Sequence, residues 1–314
     1  MLPISDVPAD AADLLDCLIV GGGPAGLAAA IYLARFHLSV LVADSGESRA
    51  DLIPLTRNLA GFPDGIAGSE LLGRIREQGR RYGVRHWAGN VVSLQGGFGR
   101  FVAQAREGIF QARTVLMTTG VFNRRPNMPA NVHAEALSRG LLRYCPICDG
   151  YEVTDSAVAV IGTSEHGTNE AEFLRSYTAD VTLIAPTGDH ELDASQRSRL
   201  ENGAIQAVNG PCLDFELMQD GIVIATPTGR RLFATIYAAL GSDVRSEIAA
   251  AMDAEVSSDG CLIVDKHQRT SVAGLYAAGD VVRGLDQLSY AMGQGAAAAV
   301  AIRNDLARST PLRR

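Results

Sequence analysis

Gly21-Gly22-Gly23-Pro24-Ala25-Gly26 constrains this chain more than any other stretch. It follows residues 14–20 (LLDCLIV), which read as a buried parallel strand, and it opens the helical pattern AGLAAAIYLARF. Strand, glycine turn and helix in that order form the G-x-G-x-x-G of a dinucleotide-binding fold. Gly21 permits the tight turn, Gly23 leaves room for a pyrophosphate to touch backbone, and Gly26 lets the helix pack on the strand. Pro24 and Ala25 lie between them at the helix N-terminus, whose amides face the phosphates. A second strand, 39–42, ends at Asp44, about 20 residues past the glycines, where a ribose hydroxyl acceptor belongs.

The pattern occurs twice. Residues 157–161 (AVAVI) read as a strand, Gly162-Thr163-Ser164-Glu165-His166-Gly167 as the turn, 170–177 as the start of a helix, and 181–184 as the next strand. A hairpin follows at Asp220-Gly221, and a strand at 235–240 ends at Gly241-Ser242. Before this repeat, 91–94, 99–105 and 108–112 read as a small antiparallel sheet. Residues 114–117 then lead into Thr118-Thr119-Gly120, a strand ending at a ligand, and 123–128 read as a linker. After the repeat, 261–264 and 270–280 read as strands, the latter ending at Gly279-Asp280. Residues 286–307 read as a small-residue helix. The fold class is therefore α/β, with two Rossmann-like three-layer domains, the second inserted in the first. With 314 residues and 47% hydrophobic content, the chain can bury two cores.

Between the two nucleotide patterns lies Cys145-Pro-Ile-Cys148-Asp149-Gly150, which holds the sole C-x-x-C of the sequence. This spacing closes a small disulfide ring and lowers the pKa of the first thiol. Half a zinc site has the same spacing, but zinc wants four ligands. Cys17, Cys212, Cys261 and the six histidines supply none at ligand spacing, so no metal site is expected. A purely structural disulfide is the other rival. Asp149 can carry the proton that moves as a dithiol opens and closes, or serve as the first residue of an Asp-Gly turn. The other three cysteines read as structural. Net charge is −7 with no basic run, which disfavours nucleic acid and anionic membranes as partners. The opening residues lack a secretory pattern, and no apolar run approaches the ~18–20 residues of a membrane helix. Five cysteines do not make a disulfide scaffold, so a reducing, cytoplasmic compartment is expected.

GGGPAG (21–26), RNLAGFPDGIAGSEL (57–71), TTG (118–120), CPICDG (145–150), TSVAGLYAAGDV (270–281) and DQLSYAMGQGAAAA (286–299) together resemble the low-molecular-weight thioredoxin reductase family of pyridine-nucleotide-disulfide oxidoreductases. The resemblance implies an FAD-binding domain of residues 1–121 and 244–314, and a central NAD(P)-binding-like domain of 122–243 carrying the redox pair. By it, Gly21, Gly23 and Gly26 face the FAD pyrophosphate and Asp44 the adenosine ribose. Asn58 touches the flavin ring, Gly279 and Asp280 hold the ribityl and phosphate, and Gln287 and Leu288 lie beside the pyrimidine edge. Thr119 and Gly120 close the strand end at the cofactor. Cys148 is then the sulfur nearest the flavin, Cys145 the one that attacks substrate, and Asp149 the acid–base group. The family also implies a homodimer whose central domain swings.

The second glycine turn departs from the family. Ser164 replaces the close-approach glycine, where a side chain crowds a pyrophosphate, and His166 replaces a small hydroxyl residue. After 181–184 the family clamps a 2′-phosphate with arginines. This chain has Ala185-Pro186-Thr187-Gly188-Asp189-His190-Glu191, whose acids repel it. The expectation is an FAD-dependent thiol–disulfide oxidoreductase that works without NADPH on a thioredoxin-like protein or a small dithiol or disulfide. Alternatives are an NADPH-dependent thioredoxin reductase, an O2-using dithiol oxidase, a ferredoxin-linked reductase, and a flavin-binding redox sensor with no catalysis.

Overall fold

A computed structural model describes residues 14–312. Residues 1–13, on which the reading of no secretory signal falls, and 313–314 lie outside the described residues. The chain forms two compact units. The first comprises the described residues of Met1–Leu52, Ala67–Phe122 and Asp243–Arg314, and the second Ile53–Ile66 and Asn123–Ser242. The sequence puts all of 1–121 in the first domain. Residues 53–66 instead pack with the second unit, where Arg57 pairs with Glu152 at 3.7 Å.

The first unit opens with β1 (Leu15–Val20), α1 (Pro24–Arg35) and β2 (Val40–Asp44), then α2 (Gly68–Arg81) and β3 (Arg85–Ala88). It continues with β4 (Val91–Gly97), β5 (Arg100–Ala105), β6 (Gly108–Met117) and β7 (Val121–Asn123). α1 starts where Pro24 can sit at its first turn, since the missing amide has no helical partner there. It ends at Phe36, before His37 turns into the left-handed region at φ 62°.

The second unit carries α3 (Ala130–Ser138), β8 (Leu142–Arg143), α4 (Pro146–Asp149), β9 (Val158–Ile161), α5 (Ser164–Leu174) and β10 (Val181–Ile184). There follow α6 (Ala194–Asn202), β11 (Gln206–Val208), the antiparallel β12 (Asp214–Met218), β13 (Gly221–Thr226) and β14 (Gly229–Phe233), and β15 (Thr235–Ala238). The chain returns through β16 (Ser242–Val244), α7 (Glu247–Ala250), β17 (Leu275–Ala277) and α8 (Leu288–Ser309).

This is the two-Rossmann α/β architecture, and four local readings change. The strands read at 108–112 and 114–117 are one strand, β6, so the hairpin is not a separate sheet. β6 pairs parallel with β1 and β17 and antiparallel with β5, giving a seven-stranded sheet in the order β3-β2-β1-β6-β5-β4 with β17 on β6. Arg113, the polar residue that split the pattern, is held by Asp16 at 2.9 Å. Residues 261–264 form no strand. Leu262 alone bridges Val256 and Val282, and Ile263 is exposed. The strand read at 270–280 shrinks to β17, because Ser271–Gly274 are turn. α5 begins at Ser164 rather than near 170: the turn residues are its first turn, just as Gly26 lies within α1.

Each unit has its own core. In the first it includes Leu15, Leu18, Phe101, Met117 and Leu275 between the sheet and its covers. In the second one cluster contains Ile161, Ile184, Ile222 and Ile236, and another Val160, Leu174, Leu183 and Tyr237. Burying each such side chain contributes about 1.5–3 kcal/mol. Among the described residues, no helix is long and apolar enough to cross a membrane.

Candidate active site

β1, β2, β6 and β17 run parallel, so their carboxyl ends share one edge of the first sheet. Gly21, Thr119-Gly120 and Gly279-Asp280 follow those ends and Asp44 is the last residue of β2, at the crevice where open α/β sheets bind nucleotides. Gly21 has φ 114°, and a Cβ on it would fall 2.2 Å from the Thr118 carbonyl oxygen. A Cβ on Gly26 would fall 2.3 Å from the Gly21 carbonyl oxygen. Only glycine fits at either place. Thr118 Oγ1 donates to the Gly21 carbonyl at 2.8 Å and locks the turn. At Gly23 the space stays open, the nearest atom to an added Cβ being Ser48 Oγ at 3.5 Å. Pro24 and Ala25 form the first turn of α1, and Gly295 of α8 approaches so closely that its Cβ would lie 2.2 Å from the Ala25 carbonyl oxygen.

Asp44 accepts from the Gly46 amide at 2.9 Å and pairs with Arg76 at 3.2 Å. Thr119 Oγ1 donates to the Arg245 carbonyl, and Gly120 turns at φ 65°. Gly279 N–H donates to Gln294 Oε1 at 2.8 Å. Arg49 bridges Asp280 at 3.1 Å and Asp286 at 2.7 Å. Burial and the neighbouring Asp286 push the Asp280 carboxyl up, against Arg49. Gln287 and Leu288 begin α8. Asn58 lies in the 53–66 segment of the second unit, accepting from Thr56 Oγ1 at 2.9 Å. The open turn at Gly23, the glycine cradle and the acid at the end of β2 fit the diphosphate and ribose of a dinucleotide such as FAD.

In the second unit β8 leads directly into the redox motif. Cys145 and Cys148 are bridged, with Cα atoms 5.3 Å apart, and Cys148 N–H donates to Cys145 Sγ at 3.2 Å. Both are half-buried, while Ile147 between them is exposed. Asp149 pairs with Arg143 at 2.8 Å and accepts from Tyr237 OH at 3.1 Å. Burial pushes its carboxyl above the ordinary range, while Arg143 and Tyr237 pull it back. The other cysteines are held as thiols: burial pushes Cys17 up to about 12 and Cys212 up to about 11, and raises Cys261. Among the described residues, no group of three or more His, Cys, Asp or Glu could hold a metal ion.

The second glycine turn is bonded to its own chain. Ser164 lies at φ 54°, in the region that disfavours side chains. Its Oγ donates to the Glu191 carbonyl at 3.3 Å, and Thr163 Oγ1 accepts from the Glu191 amide at 3.1 Å. His190 Nδ1 lies 3.4 Å from Thr163 Oγ1, and its Nε2 lies 3.2 Å from the Leu183 carbonyl. Arg199 is taken by Glu165 at 3.0 Å and by Glu172, so it is not free to clamp a phosphate. Hydrogen bonds from Arg199 hold the Glu165 carboxyl below its usual range.

The sequence pattern of the pyridine nucleotide-disulphide oxidoreductase family matches residues 15–295. The chain belongs to this family. It is 30% identical to the thioredoxin reductase of Streptomyces clavuligerus over 290 residues, 86% of this chain and 87% of that one. Among solved structures, that of HlmI superposes with a TM-score of 0.85 at 28% identity, covering 94% of this chain and 93% of that one. The thioredoxin reductase of Streptococcus pyogenes superposes with a TM-score of 0.84 at 26% identity, covering 94% and 99%. The chain is thus a thioredoxin reductase-like disulfide oxidoreductase, an enzyme of a flavoprotein class.

Sequence reasoning missed Arg143, Tyr237, Arg49 and the Thr163–His190–Glu191 latch. A two-residue strand has no periodicity to expose Arg143. Tyr237 reads as an ordinary core aromatic, 88 positions from Asp149.

Proposed function

We propose that this protein is an FAD-dependent thiol–disulfide oxidoreductase that exchanges an electron pair between flavin, the Cys145–Cys148 pair and an external dithiol or disulfide, without NADPH. The contrast between the two glycine turns carries this reading. Gly23 leaves an open approach to backbone, whereas Ser164 is strained and tied to Glu191. The flavin, when bound, stores the two electrons. Gly21, Gly23 and Gly26 would leave room for its diphosphate, Asp44 would take a ribose hydroxyl, Gly279 and Asp280 would hold its ribityl and phosphate, and Gln287 and Leu288 would lie beside its pyrimidine edge. Thr119 and Gly120 would complete these contacts.

Cys145 is the exchanging sulfur and Cys148 its resolving partner. A substrate dithiol loses two S–H protons and gains an S–S bond, while the protein disulfide opens to two thiols. Asp149 takes up or releases one of those protons. The partner is a thioredoxin-like protein or a small dithiol. The family resemblance supports a homodimer, and the sparse cysteines a reducing, cytoplasmic compartment.

Two measurements test this. Anaerobic yellow protein is mixed separately with NADPH, NADH and a small dithiol while flavin absorbance is followed. Bleaching by the dithiol and not by NADPH is expected, and bleaching by NADPH overturns the nicotinamide-independent reading. Cys145→Ser should keep flavin and lose at least about 1,000-fold in turnover, as expected for loss of a covalent nucleophile. Full activity in that variant ends the dithiol mechanism.

A further inference from the structure

Arg143 and Tyr237 are register partners on the adjacent parallel strands β8 and β15. Their side chains converge on one carboxylate. Arg143 Nη1 lies 2.8 Å from Asp149 Oδ2, and Tyr237 OH donates to Oδ1 at 3.1 Å and to the Asp149 carbonyl at 3.2 Å. Each carboxylate oxygen is thus held from a different strand, and Asp149 cannot rotate without breaking one contact. The Arg143 and Asp149 side chains are only 18% and 25% exposed, so water screens the pair weakly. Tyr237 is fully buried, so its hydroxyl has no solvent alternative. Glu152, on the turn after α4, also faces the carboxylate and is itself paired with Arg57. The Tyr177 ring packs over Gly150, close enough that a Cβ there would lie 2.5 Å from it.

We propose that Arg143, supported by Tyr237, is the positioning residue of the redox centre: it fixes the carboxylate of Asp149, the residue next to Cys148, and sets the pH at which that carboxylate exchanges its proton with the dithiol. The proposal rests on the dithiol reading above. Burial alone favours the protonated carboxyl, which cannot accept a proton from a substrate thiol. The guanidinium offsets that burial, so the carboxylate can both take and return a proton within one cycle. A two-residue strand places Arg143 two positions before Cys145, so the same backbone that carries the attacking sulfur carries the counter-ion.

The test uses reduced, flavin-loaded protein held without oxygen. The rate at which iodoacetamide alkylates Cys145 is followed against pH. The wild-type profile should contain a step that disappears in Asp149→Asn. In Arg143→Met that step should move up by roughly one pH unit or more. Arg143→Lys, which keeps the charge but loses the planar fork, should move it less than half as far. Tyr237→Phe should shift it the same way by a smaller amount. A step at the wild-type pH in both Arg143 variants overturns the proposal. So does an Arg143→Met shift that persists in the Asp149→Asn background, or a wild-type profile with no step dependent on Asp149. If Arg143→Met does not fold, Arg143→Lys and Tyr237→Phe decide, and two unshifted steps overturn it. Failure of the dithiol mechanism shows separately, as retained turnover in Cys145→Ser.

Discussion

Gly23 and Ser164 hold corresponding places in two copies of one turn, and their neighbours decide what each copy can do. In the first copy, Gly21→Ala drives a Cβ to 2.2 Å from a carbonyl oxygen at φ 114°. It should cost about 2–4 kcal/mol, summing left-handed strain and overpacking. Gly120→Ala, at φ 65° with nothing within 4 Å, should cost about 1–2 kcal/mol. Urea unfolding of the two variants checks the ordering, and equal losses would refute it. In the second copy, Ser164→Gly relieves about 1 kcal/mol of strain but frees the unfolded chain by a similar amount. Stability should therefore change by less than about 1 kcal/mol. Calorimetry should still detect no NADPH binding, because Asp189, Glu191 and the His190 contacts remain. Micromolar binding in Ser164→Gly would show that one hydroxymethyl group was the whole barrier. Both turns were legible in the sequence, since a glycine motif announces its own positions. The latch was not, because Thr163 and His190 meet across 27 positions through contacts that no spacing rule encodes.

Long, continuous apolar strands and helices announced themselves, and short ones did not. β1, β10 and α8 fell within a residue or two of where the pattern put them. β17 and β8 are too short to carry a period, and what fixes β17 is tertiary. Asp305 of α8 accepts from Arg269 Nε at 2.7 Å and from Tyr276 OH at 2.7 Å, stapling the β17 segment to the helix. Hydrogen bonds from Arg269, ahead of that from Tyr276, hold the Asp305 carboxyl below its usual range. A depressed carboxylate stabilises the fold above the unfolded carboxylate range and loses that contribution as pH falls through its folded value. Asp305→Asn should thus cost about 1 kcal/mol near neutral pH, discounted for the partly exposed guanidinium. The difference from wild type should shrink as pH falls below the unfolded carboxylate range. A gap that stays constant with pH would assign the loss to packing instead.

The inserted arrangement was readable because the dinucleotide pattern is interrupted and then resumed, with Gly279-Asp280 arriving 135 residues after Cys145. The segment 53–66 was not, because nothing in a loop sequence says which core it packs on. The inserted unit has the features of a body that can fold alone. It owns a five-stranded sheet in the order β11-β10-β9-β15-β8, a separate three-stranded sheet, and two buried clusters. Its ends meet, for Arg124 N–H donates to the Gly241 carbonyl at 3.0 Å. Units with adjacent ends and a private core tolerate excision. A fragment of residues 123–242 should therefore unfold in one cooperative transition and keep Cys145 bridged to Cys148. It should be less stable than the intact chain's unit, since it lacks 53–66 and the Arg57–Glu152 pair. It should also leave FAD and NADPH unbound, whereas the complementary chain, closed by a short glycine linker, should bind FAD. Circular dichroism, thiol counting and flavin absorbance read the three outcomes. A fragment with no cooperative transition would mean that the sheet carrying the redox pair does not fold without the 53–66 segment that packs on it.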